Sequence, residues 1–91
     1  MFSHSPSESV NGTHLCAHVE EEVGLKVSKL FKPSPDGYVD EEKGYEGLEY
    51  RFLDEEGQIY NLYSRWGSWR LGGYNLSHGD IGKFVQWAKS L

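Results

Sequence analysis

The fold is decided by LEYRFLDEEGQIYNLYSRWGSWRLGG, residues 48–73, where aromatic and strand-forming residues are concentrated. Six of the chain's thirteen Phe, Trp and Tyr residues lie in this stretch: Tyr50, Phe52, Tyr60, Tyr63, Trp66 and Trp69. Each aromatic ring that becomes buried removes roughly 150–250 Å² of surface from water. The stretch is therefore predicted to form the centre of the fold.

Apolar and polar residues alternate along this stretch, which predicts an antiparallel sheet of about three strands. The predicted strands are residues 48–53, 58–65 and 69–72, with a turn at residues 66–68. The sequence DEEG at 54–57 predicts a four-residue hairpin loop that places Phe52 opposite Ile59. The core face predicted for this hairpin is Leu48, Tyr50, Phe52, Ile59 and Tyr63.

Two helices are predicted to flank the sheet, which makes the fold class α+β. The first covers about residues 14–31, where apolar residues recur at helical spacing and Pro33 prevents continuation. Gly24 would cost up to about 1 kcal/mol inside this helix, so the alternative is a helix followed by an edge strand over residues 23–31. The second helix covers residues 80–90, after a capping-box-like start at Ser77.

The length of 91 residues allows one domain at most. Residues 1–12 are rich in Ser and contain few large apolar groups, so they are predicted to form a disordered tail. Residues 13–91 are predicted to form a single α+β domain.

The net charge of −5 is unevenly distributed along the chain. Residues 33–57 contain nine acids and two bases, whereas residues 58–91 contain one acid and four bases. The middle of the chain should therefore repel phosphate, while the last third could tolerate it. The single cysteine, Cys16, and the lack of a long apolar stretch predict a cytoplasmic protein without a membrane segment.

One group of residues has the chemistry of a zinc site. His14, Cys16 and His18 alternate, and His78 is a distant fourth candidate. Alternate residues share a face only in an extended segment, and no second metal-binding pair completes the pattern. Cys16 also has no evident base to activate it as a nucleophile. The prediction is therefore no metal, no cofactor, no catalytic residue and no enzymatic activity.

The strongest binding candidate is the turn at residues 65–70, because two Trp and two Arg at one turn cannot all point into the core. They could form an aromatic and Arg hot spot for a protein, or stack bases and contact phosphates. The alternative is that the Trp rings cover the sheet edge and the Arg side chains stack on them. The predicted partner-binding residues are Tyr60, Arg65, Trp66, Trp69, Arg70 and Tyr74, together with Asp40, Glu41 and Glu42 of an acidic loop.

These features predict a small acidic binding protein that acts by protein–protein interaction, as an inhibitor, immunity or accessory protein. The acidic loop would steer it to a basic surface on its partner, and the Arg and Trp turn would anchor it. The alternative is a single-stranded nucleic-acid binder that uses the turn at 65–70.

Overall fold

The computed structural model describes residues 1–35 and 45–91. In chain order, the elements in these ranges are β1 (Ser3–His4), β2 (His14–His18), α1 (Glu21–Leu30), β3 (Tyr45–Leu53), β4 (Ile59–Arg65), β5 (Ser68–Gly73) and α2 (His78–Lys89). The predicted α+β class is confirmed. The sheet differs from the prediction, because the described ranges contribute five antiparallel strands rather than about three.

The strand order in the sheet is β1-β3-β4-β5-β2. The three predicted strands form its centre, with slightly different ends. Both additional strands come from the N-terminal part of the chain and pair with residues far along the sequence: Ser3 lies opposite Leu53, and His14 opposite Gly73. Pairing partners this distant leave no local signal in the sequence.

The β3–β4 hairpin has a different register from the predicted one. Phe52 lies opposite Tyr60, not Ile59, because the loop takes five residues from Asp54 to Gln58. The Asp54 carboxylate favours this longer loop, since its Oδ1 accepts the backbone N–H of Glu56 (2.9 Å) and of Gln58 (3.0 Å).

A shift of one residue turns every side chain of a strand to the other face of the sheet. Ile59 and Tyr63 therefore leave the helix-covered face on which they were predicted, and Tyr60 and Leu62 take their place there. Leu48 is exposed and lies outside the core cluster as well.

The predicted helix over residues 14–31 is a strand followed by a shorter helix. Residues His14–His18 form β2, and the backbone N–H of Val19 still donates to the Trp69 carbonyl of β5 (3.0 Å). Pairing with a sheet edge satisfies backbone groups as a helix does, so tertiary context decides between the two. The alternative prediction, a helix followed by an edge strand over residues 23–31, is also wrong, because Glu21–Leu30 forms α1.

Residues 1–12 also differ from the prediction of a disordered tail. Phe2 packs its ring against Tyr60, Phe84 and Trp87, with centroid distances of 4.9, 5.2 and 5.1 Å. Ser3–His4 pairs with β3 through the backbone. These contacts offset the entropy lost on ordering the segment, which composition alone does not reveal.

Both helices pack on one face of the sheet. The buried cluster between them is Val23, Val27, Tyr50, Phe52, Tyr60, Leu62, Leu71, Phe84 and Ala88. The predicted cap of α2 is present: Asp80 N–H donates to Ser77 Oγ, and Ser77 N–H donates to Asp80 Oδ2, both at 3.0 Å. No helix in the described ranges combines the length and the apolar character needed to cross a membrane.

Candidate functional site

The face of the sheet opposite the helices carries a row of side chains from four strands. In register across the sheet, Glu49 lies opposite Tyr63, Tyr63 opposite Arg70, and Arg70 opposite His18. Directly opposed side chains in an antiparallel sheet are near neighbours. We call this side of the sheet the polar face. Along each strand, its residues alternate with residues that point into the core on the other side.

Next to this row, a tight turn connects β4 and β5. Arg65 pairs with Ser68, so the turn contains only Trp66 and Gly67, with φ of 51° and 71°. Two positive φ angles are typical of the type I′ turn that matches the twist of a hairpin. For Trp66, whose side chain crowds the following carbonyl, this left-handed conformation costs roughly 1–2 kcal/mol.

The Trp66 ring is exposed and lies between two guanidinium groups. The side chain is 60% exposed, with the Arg65 Cζ atom 4.1 Å and the Arg70 Cζ atom 5.6 Å from the ring centroid. Next to Arg70, a ring nitrogen of His18 lies 3.2 Å from the Ser68 hydroxyl in a hydrogen bond. We call these five residues, His18, Arg65, Trp66, Ser68 and Arg70, the turn site.

One donor of the turn site is unused in the described part of the chain. The Nε atom of Arg70 is buried and has no hydrogen-bond partner there. Buried donors are paired in most proteins, so this unpaired Nε is an unusual feature of the turn site. The turn site thus combines an apolar ring with donors that suit an anionic group.

Three predicted partner-binding residues come together at the turn site: Arg65, Trp66 and Arg70. Trp69 does not join them, because it lies on the helix-covered face, where its ring contacts Gly24 of α1. Tyr74 follows the opposite end of β5. It is 51% exposed, and its hydroxyl donates to the Asn11 carbonyl (2.7 Å).

Tyr60 is a core residue in the structure, only 1% exposed. Its hydroxyl donates to Asp54 Oδ2 at 2.9 Å. Desolvation, together with this hydrogen bond, raises the pKa of the Tyr60 hydroxyl well above its usual value. Asp40, Glu41 and Glu42, the acidic part of the prediction, lie outside the described residues.

A buried polar network on the β3 side of the polar face was not predicted from the sequence. Arg51 is 3% exposed, and its Nε atom donates to Glu49 Oε1 (2.6 Å), while Asn61 Nδ2 donates to Glu49 Oε2 (2.9 Å). The Glu8 carbonyl accepts a further bond from Arg51 (2.8 Å). Since Arg51 neutralises Glu49, the acid in the row does not cancel the charge of Arg70.

The candidate metal ligands are not assembled. His14, Cys16 and His18 lie on β2 with a bulge at Cys16, and the Cys16 thiol faces the carbonyls of His14 (3.6 Å) and Gly73 (3.8 Å). Within residues 1–35 and 45–91, no three His, Cys, Asp or Glu side chains are grouped to hold a metal ion.

A cleft lies near the N-terminus, away from the turn site. Phe2, Tyr60 and Trp87 contribute to a cleft of about 550 Å³ that also contains the carboxylates of Asp54 and Asp80. Burial raises the pKa of Asp54, but hydrogen bonds from Gln58 and Tyr60 outweigh it and hold this pKa below its usual value. Hydrogen bonds from the backbone of Ser77 and from Gln58 lower the pKa of Asp80. Both carboxylates are thus committed to holding the loop and the helix cap.

Comparison with protein-family models, curated proteins and solved structures finds no match for this chain. The residues themselves are therefore the only guide to function. Among the described residues, the turn site is where an exposed aromatic ring and cationic groups share one surface.

Proposed function

We propose that this protein is a non-enzymatic binding protein that acts by protein–protein interaction, with Trp66 as its anchor. The observation that carries the proposal is the exposed Trp66 ring, held between Arg65 and Arg70. Trp and Arg are the residue types that most often dominate the binding energy of protein interfaces.

The backbone at Trp66 supports this proposal. Asn or Gly would occupy a turn position of positive φ with less strain, so a Trp there has an energetic cost that packing does not repay. Strain that persists at an exposed position motivates a functional hypothesis. We take the cost to be offset when the ring is buried by a partner.

The charge of the chain suits the same role. The segment 33–57, with nine acids and two bases, would steer the protein to a basic region of its partner. A small acidic protein with one anchoring turn fits an inhibitor, immunity or accessory protein of the cytoplasm, which masks a surface of its target. Under this proposal the protein needs no cofactor or metal.

The experiment is capture of partners from native cell extract by the immobilised protein, followed by quantification of each captured protein. Trp66→Asn is the informative variant, because Asn removes the ring and keeps the left-handed turn. Loss of a hot spot costs at least about 2 kcal/mol, which corresponds to about thirtyfold weaker capture. Leu25→Ala removes an exposed apolar residue of α1 and should capture as the wild type does.

Equal recovery of every partner by wild type and Trp66→Asn would contradict the proposal.

The second candidate, single-stranded nucleic acid, is favoured by the same ring and guanidinium arrangement, since bases stack on Trp. Titration with oligothymidylate, followed by Trp fluorescence at about 50 and about 200 mM salt, tests it. Salt-sensitive quenching that is absent from Trp66→Asn would support the second candidate over the first.

A further inference from the structure

The two edges of the sheet differ in how far other backbone segments cover them. On the β3 side, β1 covers one end, and the backbone N–H groups of Ser5 and Ser34 donate to the carbonyls of Arg51 (2.9 Å) and Glu49 (2.8 Å). On the other side, β2 is the last strand, and β5 is its only neighbour in the sheet among the described residues. An edge strand that is not covered can pair with another extended chain.

The backbone groups at the C-terminal end of β2 point to this outer side. Val19 N–H donates to the Trp69 carbonyl, which makes Val19 and Trp69 a hydrogen-bonded pair of the ladder. Such pairs alternate with pairs that exchange no bonds, so the N–H and C=O of His18, opposite Arg70, face outward. The bulge of β2 lies between Leu15 and Ala17, and the ladder is regular from Ala17 onward.

The charge beside this edge is positive. Arg70 lies next to His18 on the polar face, and its buried Nε has no hydrogen-bond partner among the described residues. Of the nearby acids, Glu49 is bound by Arg51 (2.6 Å) and Glu20 by Lys89 (2.6 Å). The next two, Glu21 and Glu22, belong to α1, which packs on the opposite face of the sheet. A carboxylate on a chain paired with β2 would lie beside His18 and across β2 from the Arg70 guanidinium, a group that attracts carboxylates.

We infer that the partner presents an extended acidic segment, which adds to the sheet along the outer edge of β2 and places carboxylates over His18 and Arg70. The inference rests on the proposed function and names one contact of the partner, at β2, in addition to the basic region that residues 33–57 would face. Backbone pairing with β2 supplies affinity, and alternate side chains of the segment, which face the turn site, supply specificity. Trp66, whose ring centroid lies 5.6 Å from the Arg70 Cζ atom, provides the neighbouring apolar surface.

The probe is a fluorescein-labelled peptide of about eight residues in which Glu and Val alternate, so that all carboxylates share one face of the strand. A matched peptide with Lys in place of Glu is the control. Fluorescence anisotropy should show binding of the Glu peptide by the full chain, weakened by salt, and at least about tenfold weaker binding of the Lys peptide.

His18→Pro is the informative variant of the protein. Proline removes the outward N–H of His18 and no ladder bond, because edge strands accept proline where the N–H faces solvent. His18→Ala keeps that N–H and removes the imidazole. We expect at least about tenfold weaker binding of the Glu peptide by His18→Pro and about threefold or less by His18→Ala. Far-UV circular dichroism checks that both variants fold.

If His18→Pro does not fold, a peptide N-methylated at alternate residues provides the test. Methylation blocks backbone pairing from the peptide side, so it should abolish binding to the wild type. Equal binding of the Glu peptide by His18→Pro and wild type, or of the methylated and plain peptides by wild type, would overturn the inference. So would preference for the Lys peptide, or salt-sensitive binding of oligothymidylate that displaces the Glu peptide.

The outcome separates this inference from the proposed function. If Trp66→Asn loses partner capture while His18→Pro binds the Glu peptide normally, the pairing with β2 is refuted and the protein-binding role stands. If Trp66→Asn keeps full capture, the proposed anchor is refuted, whatever the peptide does. Concentration-dependent dimerisation of the wild type that His18→Pro abolishes would identify a second copy of this chain as the occupant and overturn the acidic segment.

Discussion

Two glycines in helix interiors show how one Cβ atom has opposite effects in different surroundings. A Cβ atom at Gly24 of α1 would lie 2.0 Å from the Trp69 ring, so the helix rests on the sheet only without a side chain there. At Gly82 of α2, a Cβ atom would have no described atom within 4 Å apart from its chain neighbours and the backbone of its own helix. The first glycine is required by packing, and the second only weakens its helix.

We predict that Gly24→Ala lowers the free energy of unfolding by about 1–3 kcal/mol, as overpacking typically does. Gly82→Ala should raise it by about 0.5–1 kcal/mol, because Ala loses less backbone entropy in a helix. Urea unfolding followed by circular dichroism measures both. A stabilising Gly24→Ala would show that the Trp69 ring moves aside at little cost.

At this scale the sequence predicted part of the geometry of the turn site. Arg65, Trp66 and Arg70 are on one surface as expected from their crowding at a turn. Trp69 is not, because the turn has two residues instead of the expected three, and the parity of β5 changes with the turn length. His18 and Ser68 were missed as site residues, since only the pairing of β2 with β5 brings them to Arg70.

The smallest element of the fold, β1, contributes more than its two residues indicate. Phe2, immediately before it, makes edge-to-face contacts with Tyr60 and Phe84 and a tilted contact with Trp87. Such geometry adds to the stabilisation from burial alone. β1 also covers part of the β3 edge.

Phe2→Ala should therefore lower the free energy of unfolding by about 1.5–3 kcal/mol, the value typical for burying an aromatic side chain. Ser3→Ala is the matched control. Ser3 is exposed and pairs with Leu53 through its backbone, so the change should have an effect within about 0.5 kcal/mol. Thermal unfolding of both variants tests this, and equal stability of Phe2→Ala and wild type would indicate a tail that contributes nothing to the core.

Local signals predicted elements well where partners are close in sequence. The two central hairpins and the cap of α2 depend on neighbours within a few residues, and all three were found. Each hairpin turn was nevertheless wrong by one residue, which placed side chains of β4 and β5 on the wrong face. β1 and β2 depend on partners about fifty residues away or more, as in the pairing of Ser3 with Leu53. Residues 14–31 also have helical spacing of apolar groups, so periodicity alone could not distinguish the strand at His14–His18 from a helix.

For the molecule as a whole, acid should be destabilising. The pKa of Asp54 is lowered in the folded state by the bonds from Gln58 and Tyr60, despite some desolvation. The folded protein thus favours the carboxylate, so its contribution is present above the unfolded pKa and is lost as pH falls through the folded pKa. The pKa of Asp80 is shifted in the same direction by its bonds to Ser77 and Gln58.

Asp54→Asn tests this contribution. The difference in unfolding free energy between wild type and variant should be largest above about pH 5 and shrink toward about pH 3, where the wild-type carboxylate becomes protonated. Urea titrations across this range measure it. Glu8→Gln, which changes an exposed side chain whose described contacts involve only its backbone, should follow the wild type at every pH. If the difference in unfolding free energy between wild type and Asp54→Asn does not change with pH, Asp54 stabilises the protein through loop geometry alone.

The pairing of the first strands with the last ones also bears on how the chain is synthesised. A ribosome delivers β1 and β2 well before their partners in β3 and β5, and α2, which supplies Phe84 and Ala88 to the core, is made after all of them. Sheet contacts between such distant residues form slowly, because a long loop must close first. The nascent chain therefore exposes Phe2 and the β2 edge until β3, β5 and α2 have been synthesised, so the core forms only after α2 is available.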